Sequence, residues 1–498
     1  MFHTIGAVRS EVDSRRPAQV RAVYEARHSL CAPLLWLIVL TLPSLAFGGE
    51  IRFGGQVSTA IQVGLTGCAS PGDCRFLNFR NANVLSLNVE ANPSETTELF
   101  ADVSIRNTNF TRVDTLDETG SVSEVQPVDI RLNQARMDLY DLFGLSGLDL
   151  RAGAIRIAWG TGDGVNPTDR LNPYDLEEGT GFDKRLASLA TQLTWSGADV
   201  GVELVVLPLF LPAILPVERI DFTTLGAPSD VLDLTQGDSD PPDIRKVETP
   251  VSVPEPALEN IQVGARIRYG SPIGDFSLMF YRGFDSLPQA SGQVRLTGFQ
   301  TANRVDLGVP LAYPRVMMVG ADYRGPLVDT LSAWAEVAVL FPEEHVLSAA
   351  RNQLEQLVKL GRLDEVPDPL PVQTTQSAEV FVKAVAGLEY LVGDGFYINA
   401  QYARGLASER QATDVHDYVL LALRGSLLDG RLILGARGGL EIASSDTLGF
   451  QAGASISWLH GDAARLTWSA TFLGGASGTT FQRFERLSST KLSFALSF

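Results

Sequence analysis

Every second position from Ile51 to Leu65 is apolar or able to face lipid. Ile51, Phe53, Gly55, Val57, Thr59, Ile61, Val63 and Leu65 alternate with Arg52, Gly54, Gln56, Ser58, Ala60, Gln62 and Gly64. Period-two alternation sustained over about ten residues is the signature of a strand with one face in lipid and the other in water. Phe450, Ala452, Ala454, Ile456 and Trp458 repeat it, as do Leu466, Trp468, Ala470 and Phe472. Reading such segments in order predicts strands near 51–66, 82–92, 96–107, 128–140, 147–159, 186–196, 198–208, 259–270, 273–284, 313–325, 331–341, 377–391, 394–405, 416–426, 429–441, 448–459, 463–474 and 487–498. That makes eighteen, and merging or splitting one hairpin gives sixteen or twenty.

The connections alternate between brief ones (ANPSE, SG, GSP, VGD, LLDG, HGDA) and mostly longer ones. Transmembrane barrels of bacteria have short turns at one end, longer extracellular loops at the other and an even strand count. The expected fold is therefore all-β, a transmembrane antiparallel β-barrel with long extracellular loops. The last run, Thr490, Leu492, Phe494, Leu496 and Phe498, places an aromatic at the chain end. There it closes the sheet against the first strand and resembles the signal read by barrel-assembly machinery. Soluble solenoids and sandwiches explain neither that terminus nor the alternation in loop length.

Cys31 to Phe47 (CAPLLWLIVLTLPSLAF) is apolar but short and broken by proline, with Arg21 and Arg27 before it. It reads as an export signal, with cleavage after Ala46 or Gly48. Residues 1–48 are thus expected to be leader and 49–498 one barrel without a separate plug domain. Removing the leader takes away five basic and three acidic residues, leaving 35 basic and 55 acidic, a net charge of −20. Such a chain is a poor nucleic-acid binder. An apolar fraction of 45% with mean hydropathy of +0.08 fits strands that spend half their residues on lipid. The expected location is the outer membrane of a Gram-negative bacterium, with its lipid as partner.

Cys68 and Cys74 in CASPGDC are expected to close a short turn as a disulfide; no further ligands stand nearby for a metal, and no cofactor is expected. Charges that alternate with apolar residues must face the lumen, because Lys or Arg on the lipid face costs about 2 to 4 kcal/mol near the midplane. This rule selects Glu98, Asp102, Arg106, Arg266, Arg268, Asp322, Glu336, Lys383, Arg431, Arg437, Arg465 and Lys491 as pore-lining candidates. The loop from Pro208 to Glu259 carries an acidic run, Gly237 to Asp243, and an apolar ledge of Leu209, Phe210, Leu211, Ile214 and Leu215. A further loop predicts a helix over Glu343–Lys359, opened by Pro342 and followed by Gly361, whose stripe of Leu347, Ala350, Leu354 and Leu357 would rest on the rim, the lumen or a neighbouring loop.

Ala152-Gly153-Ala154-Ile155-Arg156-Ile157-Ala158-Trp159-Gly160 leads into Asp163, Asn166-Pro167, Asp169 and Asn172-Pro173-Tyr174-Asp175-Leu176. Asn-Pro and Asp favour side-chain-stabilised turns, so this is a structured loop. Together with Tyr313-Pro314-Arg315, Gly320-Ala321-Asp322 and Trp334-Ala335-Glu336-Val337-Ala338, it resembles an uncharacterised porin-like outer-membrane family of Gram-negative bacteria. That resemblance implies a barrel and a transport-type role, and it carries over no catalytic residue. Trp159, Asp163, Asp169 and Asp175 are candidates for a constriction if the loop folds inward. The function expected is a channel for small solutes. Alternatives are a transporter of hydrophobic molecules such as lipids or fatty acids, suggested by the ledge, and a plugged structural barrel. Catalysis is not expected: His345, His416 and His460 are the histidines after the leader, and no Ser-His-Asp set can be assigned.

Overall fold

The computed structural model describes residues 49–65, 79–108, 125–177, 183–216, 243–297, 304–359, 365–366, 368, 370, 372–393 and 395–498. Expectations for the leader, Cys68, Cys74, Gly361 and the acidic run before Asp243 lie outside these residues.

Eighteen strands form one antiparallel sheet that closes on itself. In chain order they are β1 Ile51–Gly64, β2 Phe79–Ser94, β3 Thr97–Thr108, β4 Asp129–Leu139, β5 Leu148–Ile155 and β6 Ser188–Ser196. Next come β7 Val200–Leu207, β8 Gln262–Ser271, β9 Gly274–Phe284, β10 Arg315–Val328, β11 Leu331–Pro342 and β12 Phe381–Val392. The last six are β13 Phe396–Arg404, β14 Asp417–Leu427, β15 Leu432–Ser444, β16 Thr447–His460, β17 Ala464–Gly475 and β18 Ser489–Ser497. Each predicted strand has its counterpart. Each also pairs with its neighbour in sequence, the simplest topology that leaves no backbone group unpaired in lipid.

The seam joins β1 to β18 from Gln56 opposite Ser497 to Gly64 opposite Ser489. Phe498 extends it by one residue: its N–H donates to the Gly55 carbonyl at 3.0 Å, and the Gly55 N–H donates to its carbonyl at 2.9 Å. The Phe498 ring lies over Gly55, where a Cβ would come within 2.6 Å of it.

Cross-strand partners share a face, so the pairing registers sort the side chains of the whole wall. One face carries exposed large apolar residues from end to end, among them Phe53, Leu278, Val419, Trp468, Phe472 and Leu492. Such a continuous apolar exterior fits lipid, not water, and makes this a membrane-spanning barrel. The other face, which carries most of the charged side chains of the strands together with a buried apolar part, lines the interior.

The long connections build structure of their own. Segments 372–376, 345–349, 292–297, 304–308 and 243–248 form a five-stranded sheet in that order, and 289–290, 311–312 and 251–252 form a three-stranded one. This corrects the predicted helix over Glu343–Lys359. His345–Ala349 is a strand, and the helix, α1, begins only at Arg351 and runs to Lys359. Leu347 and Ala349 are buried two residues apart, the spacing of a strand with a covered face, and the strand pairs on both sides. Leu354 on α1 is buried beside Val366 and Leu370.

Candidate functional site

Beyond Ile155 the chain leaves the wall and turns into the barrel. The predicted strand 147–159 stops at 155 because the Asn172 side chain takes the backbone groups that a neighbouring strand would have paired. Its Oδ1 accepts from the Ile157 N–H at 2.6 Å, and its Nδ2 donates to the carbonyls of Ile155 and Leu186 at 3.0 and 2.9 Å. One asparagine thus clamps both roots of the loop.

From there the segment 156–177 touches distant parts of the wall. The Trp159 indole N–H donates to Glu203 on β7, and its ring is fully buried. Glu336 on β11 holds the middle of the segment: its Oε2 accepts from the N–H groups of Thr161 and Gly162 at 2.9 and 3.2 Å, and its Oε1 from the Thr168 N–H and hydroxyl at 2.7 and 2.8 Å. Gly160 sits against this carboxylate with φ of +85°, and a Cβ there would fall 2.4 Å from Oε2. Gln401 on β13 donates to the Asp163 carbonyl at 2.9 Å. At the far end Glu177 pairs with Arg80 on β2 at 2.6 Å and Arg106 on β3 at 2.7 Å, while Asp175 pairs with Arg131 on β4 at 2.8 Å. A segment fixed to β2, β3, β4, β7, β11 and β13 crosses the interior.

The wall beneath the segment is flattened to receive it. A Cβ on Gly264 of β8 would lie 2.7 Å from the Trp159 ring, and one on Gly320 of β10 would lie 2.6 Å from the Thr168 methyl. Ile155, Ile157, Trp159 and Leu171 then share an apolar cluster with Leu207, Tyr281, Met318, Leu340 and Phe381 from the strands. Arg170 pairs with Asp285 at 3.3 Å, and Arg185 pairs with Asp169 at 3.2 Å while lying over the Tyr174 ring. Burial pushes the Asp169 carboxyl above the usual carboxylate range, and the charge of Arg185 opposes that shift. Burial also raises Asp163, and the negative charges of Glu389 and Asp183 add to it.

Two further connections fold inward beside the segment. Residues 405–416 bring in Leu406 and Glu409, and residues 476–488 bring in the short helix α2, Thr480–Arg483, with Phe481 and Leu487 buried. Phe481 and Leu487 pack with Trp334, Val385, Tyr418 and Leu473. Glu441 on β15 accepts from the N–H groups of Thr480 and Phe481 at 2.6 and 2.8 Å and meets His416 Nδ1 at 2.8 Å. Glu409 accepts from the Leu406 N–H at 2.8 Å and from the Tyr418 hydroxyl. Among the described residues Glu409, His416 and Glu441 form the one group with metal-ligand chemistry. Their oxygens are already engaged by these donors, so the trio serves as a staple between the two connections.

The interior is therefore divided. Along β7 to β13 the inward positions beneath the crossing segment and its neighbouring connections are buried, for example Val205, Met279, Met318, Ala338, Val385 and Ala403. From β16 through β18 to β1 the inward positions Ser455, Ser457, Thr467, Ser469, Lys491, Ser493, Ser58 and Ala60 all remain partly exposed. One sector is packed like a protein core, and the other is open and lined by small hydroxyl-bearing or apolar residues.

This division sorts the residues selected from sequence. Glu98, Asp102 and Arg106 lie on the inner face of β3, paired respectively with Arg136 at 2.8 Å, the Asn133 amide at 3.1 Å and Glu177. Arg437, Arg465 and Lys491 lie on the inner faces of β15, β17 and β18, next to the open sector. Arg268 is on the inner face of β8 and exposed. Glu336, Lys383 and Asp322 are buried in the filled sector, which corrects their assignment to a water path. Glu336 anchors the crossing segment, Lys383 donates to the Leu406 carbonyl, and Asp322 lies 3.6 Å from Arg266. Arg431 stands in the turn before β15 and is not on a strand. Trp159, Asp163, Asp169 and Asp175 all belong to the crossing segment. Sequence reasoning missed Asn172 as the clamp, Thr168, Glu177 and Glu203; the Asn172-Pro173 dipeptide was the available signal for the first.

No family model matches the chain, and no curated protein does. The resemblance read from the 152–176 motif therefore holds for the porin-like barrel and not for a particular family. Solved structures that match include OccK11 (OpdR) of Pseudomonas aeruginosa, with 10% identity and a TM-score of 0.45 over 90% of this chain and 96% of that one. OccAB4 of Acinetobacter baumannii matches with 8% identity and a TM-score of 0.45 over 90% and 98%. A mutant of the Rh. blastica porin matches with 10% identity and a TM-score of 0.34 over 90% and 100%. These are proteins this chain is similar to, and the conclusions below rest on its own geometry.

Proposed function

We propose that the protein is an outer-membrane channel of a Gram-negative bacterium that lets small polar solutes pass down their gradients. The observation that carries this reading is the unequal filling of the interior. A barrel meant only as a structural wall has no reason to pack one sector densely while leaving small polar residues uncovered along the other. The crossing segment narrows the lumen, and its anchors on several strands hold the narrowing rigid. Export through the leader and insertion through the terminal strand ending at Phe498 belong to the same reading.

The alternative cargo, hydrophobic molecules, drew on the ledge after Pro208. Much of that ledge is occupied: Phe210 packs on Phe284 and Tyr313 with ring centroids 5.5 and 4.7 Å apart, and the Ile214 N–H donates to the Tyr174 carbonyl at 3.0 Å. Leu215 packs against the crossing segment at Tyr174 and Leu176, and Leu209 and Leu211 are the ledge residues left exposed. Liposome swelling separates the readings. Vesicles containing the protein should swell in glucose faster than in a trisaccharide of the raffinose type, and vesicles that swell in neither would contradict a channel.

A further inference from the structure

The long connections that follow β7, β9 and β11 build a small body with a core of its own, in which Ala290, Val294, Leu307, Val309 and Leu347 are buried together. Its pairing is interrupted where two prolines meet. Residues 304–308 run parallel to 243–248 and residues 311–312 parallel to 251–252, with Pro310 and Pro250 at the break between the two ladders. Neither proline has an N–H to donate, so the ladder lapses there. It resumes where the Leu311 N–H donates to the Pro250 carbonyl at 2.8 Å and the Ser291 N–H to the Pro310 carbonyl at 2.9 Å. Gly292, with φ of +111°, turns the third strand at the same level.

A cleft of about 610 Å³ lies at this interruption, faced by Ala350 and by Asn352 and Gln353 in the first turn of α1. That volume falls within the range of about 300 to 1,000 Å³ usual for small-molecule sites. Ser252, Ser291, Gln293 and Asn352 line it with hydroxyls and amides whose hydrogen-bonding groups meet no described residue. Arg295 is exposed at the cleft and makes no ion pair with a described carboxylate. Gln293 and Arg295 stand two residues apart on one strand, on the face opposite the buried Val294. The strand's buried side therefore fixes the backbone that presents both groups. Pro250, Pro310 and Leu311 supply apolar surface between the polar groups.

We infer that this cleft binds a short acidic oligosaccharide. Each hydroxyl of a sugar ring both donates and accepts, and serine hydroxyls and the amides of asparagine and glutamine offer both functions in return. The proline and leucine surfaces suit the C–H faces of a pyranose ring. A guanidinium presented on a strand gives a sugar carboxylate two parallel N–H donors, a match that a lysine ammonium does not reproduce. Such binding is separate from conduction and needs no open lumen.

The test is isothermal titration calorimetry of the purified full chain in detergent, with trigalacturonate as the acidic probe and maltotriose as a neutral one of the same length. Trigalacturonate should bind saturably, and maltotriose about tenfold more weakly, the loss of one charge-assisted contact. Arg295→Gln should weaken trigalacturonate by about the same factor, and Arg295→Lys, which keeps the charge without the fork, should weaken it less. That graded response separates loss of the contact from loss of the fold. Titration in the presence of lipopolysaccharide distinguishes two sources of such a ligand. Displaced heat assigns the site to the surface glycan, and undiminished heat assigns it to a free oligosaccharide. Absence of saturable heat, equal affinity for the two probes, or an affinity unmoved in the glutamine variant would overturn the inference and leave the channel reading untouched.

Discussion

Placing arginine at position 492 should cost the barrel about 2 to 4 kcal/mol of unfolding free energy in lipid, whereas arginine at position 493, one residue on, should cost little. Leu492 is half exposed on the outer face, opposite Trp468 on β17 and Ile61 on β1, near the middle of β18. A guanidinium there must reach the headgroups or drag water into the hydrocarbon. Ser493 points the other way, opposite Thr467 and Ala60 in the open sector, where water solvates the added charge. Reversible denaturant unfolding in lipid vesicles measures both. Equal costs, or the larger one at Ser493, would mean that the face assignment of β18 is wrong, and with it the seam to β1.

Replacing Glu336 by alanine should widen the passage. Four hydrogen bonds from Thr161, Gly162 and Thr168 end on its carboxylate. Bonds to a charged group contribute about 1.5 to 3 kcal/mol each. Without them three N–H groups lose their partner, and residues 160–168 keep a single hydrogen bond to the wall, from Gln401 to the Asp163 carbonyl, while the anchors at Trp159, Arg170, Asn172, Asp175 and Glu177 remain. We expect a several-fold rise in single-channel current with added flicker, at little change in the number of inserted barrels. An unchanged current would show that the crossing segment does not limit flow.

The strand plan was legible in the sequence because a wall between lipid and water imposes alternation residue by residue. All eighteen segments carried it, down to Phe498. The interior was much less legible. Lys383 and Arg437 have the same parity on their strands, and alternation alone gives both the same environment. What separates them is which loop covers which strand: Leu406 from one connection sits on Lys383, and Arg437 stays exposed. Contacts such as Thr168 with Glu336 join residues 168 positions apart in sequence, and no local pattern announces them. The helix over Glu343–Lys359 failed for a related reason. Its stripe of Leu347, Ala350 and Leu354 fits helical spacing, but the partner strands at 292–297 and 372–376 offered His345–Ala349 two ladders of hydrogen bonds. Tertiary pairing overrode a local preference.

The central claim is that water and solutes run along one sector of the interior and not the other. Single cysteines at Ser469 and Ala338, each in a chain whose Cys31, Cys68 and Cys74 are replaced by serine, test it directly. Both positions face inward, Ser469 on the open arc and Ala338 fully buried beneath the crossing segment. Adding a small charged thiol reagent during single-channel recording should step the current down in the Ser469→Cys protein and leave the Ala338→Cys protein unchanged. A step at Ala338 with none at Ser469 would place the passage on the opposite wall and contradict the account.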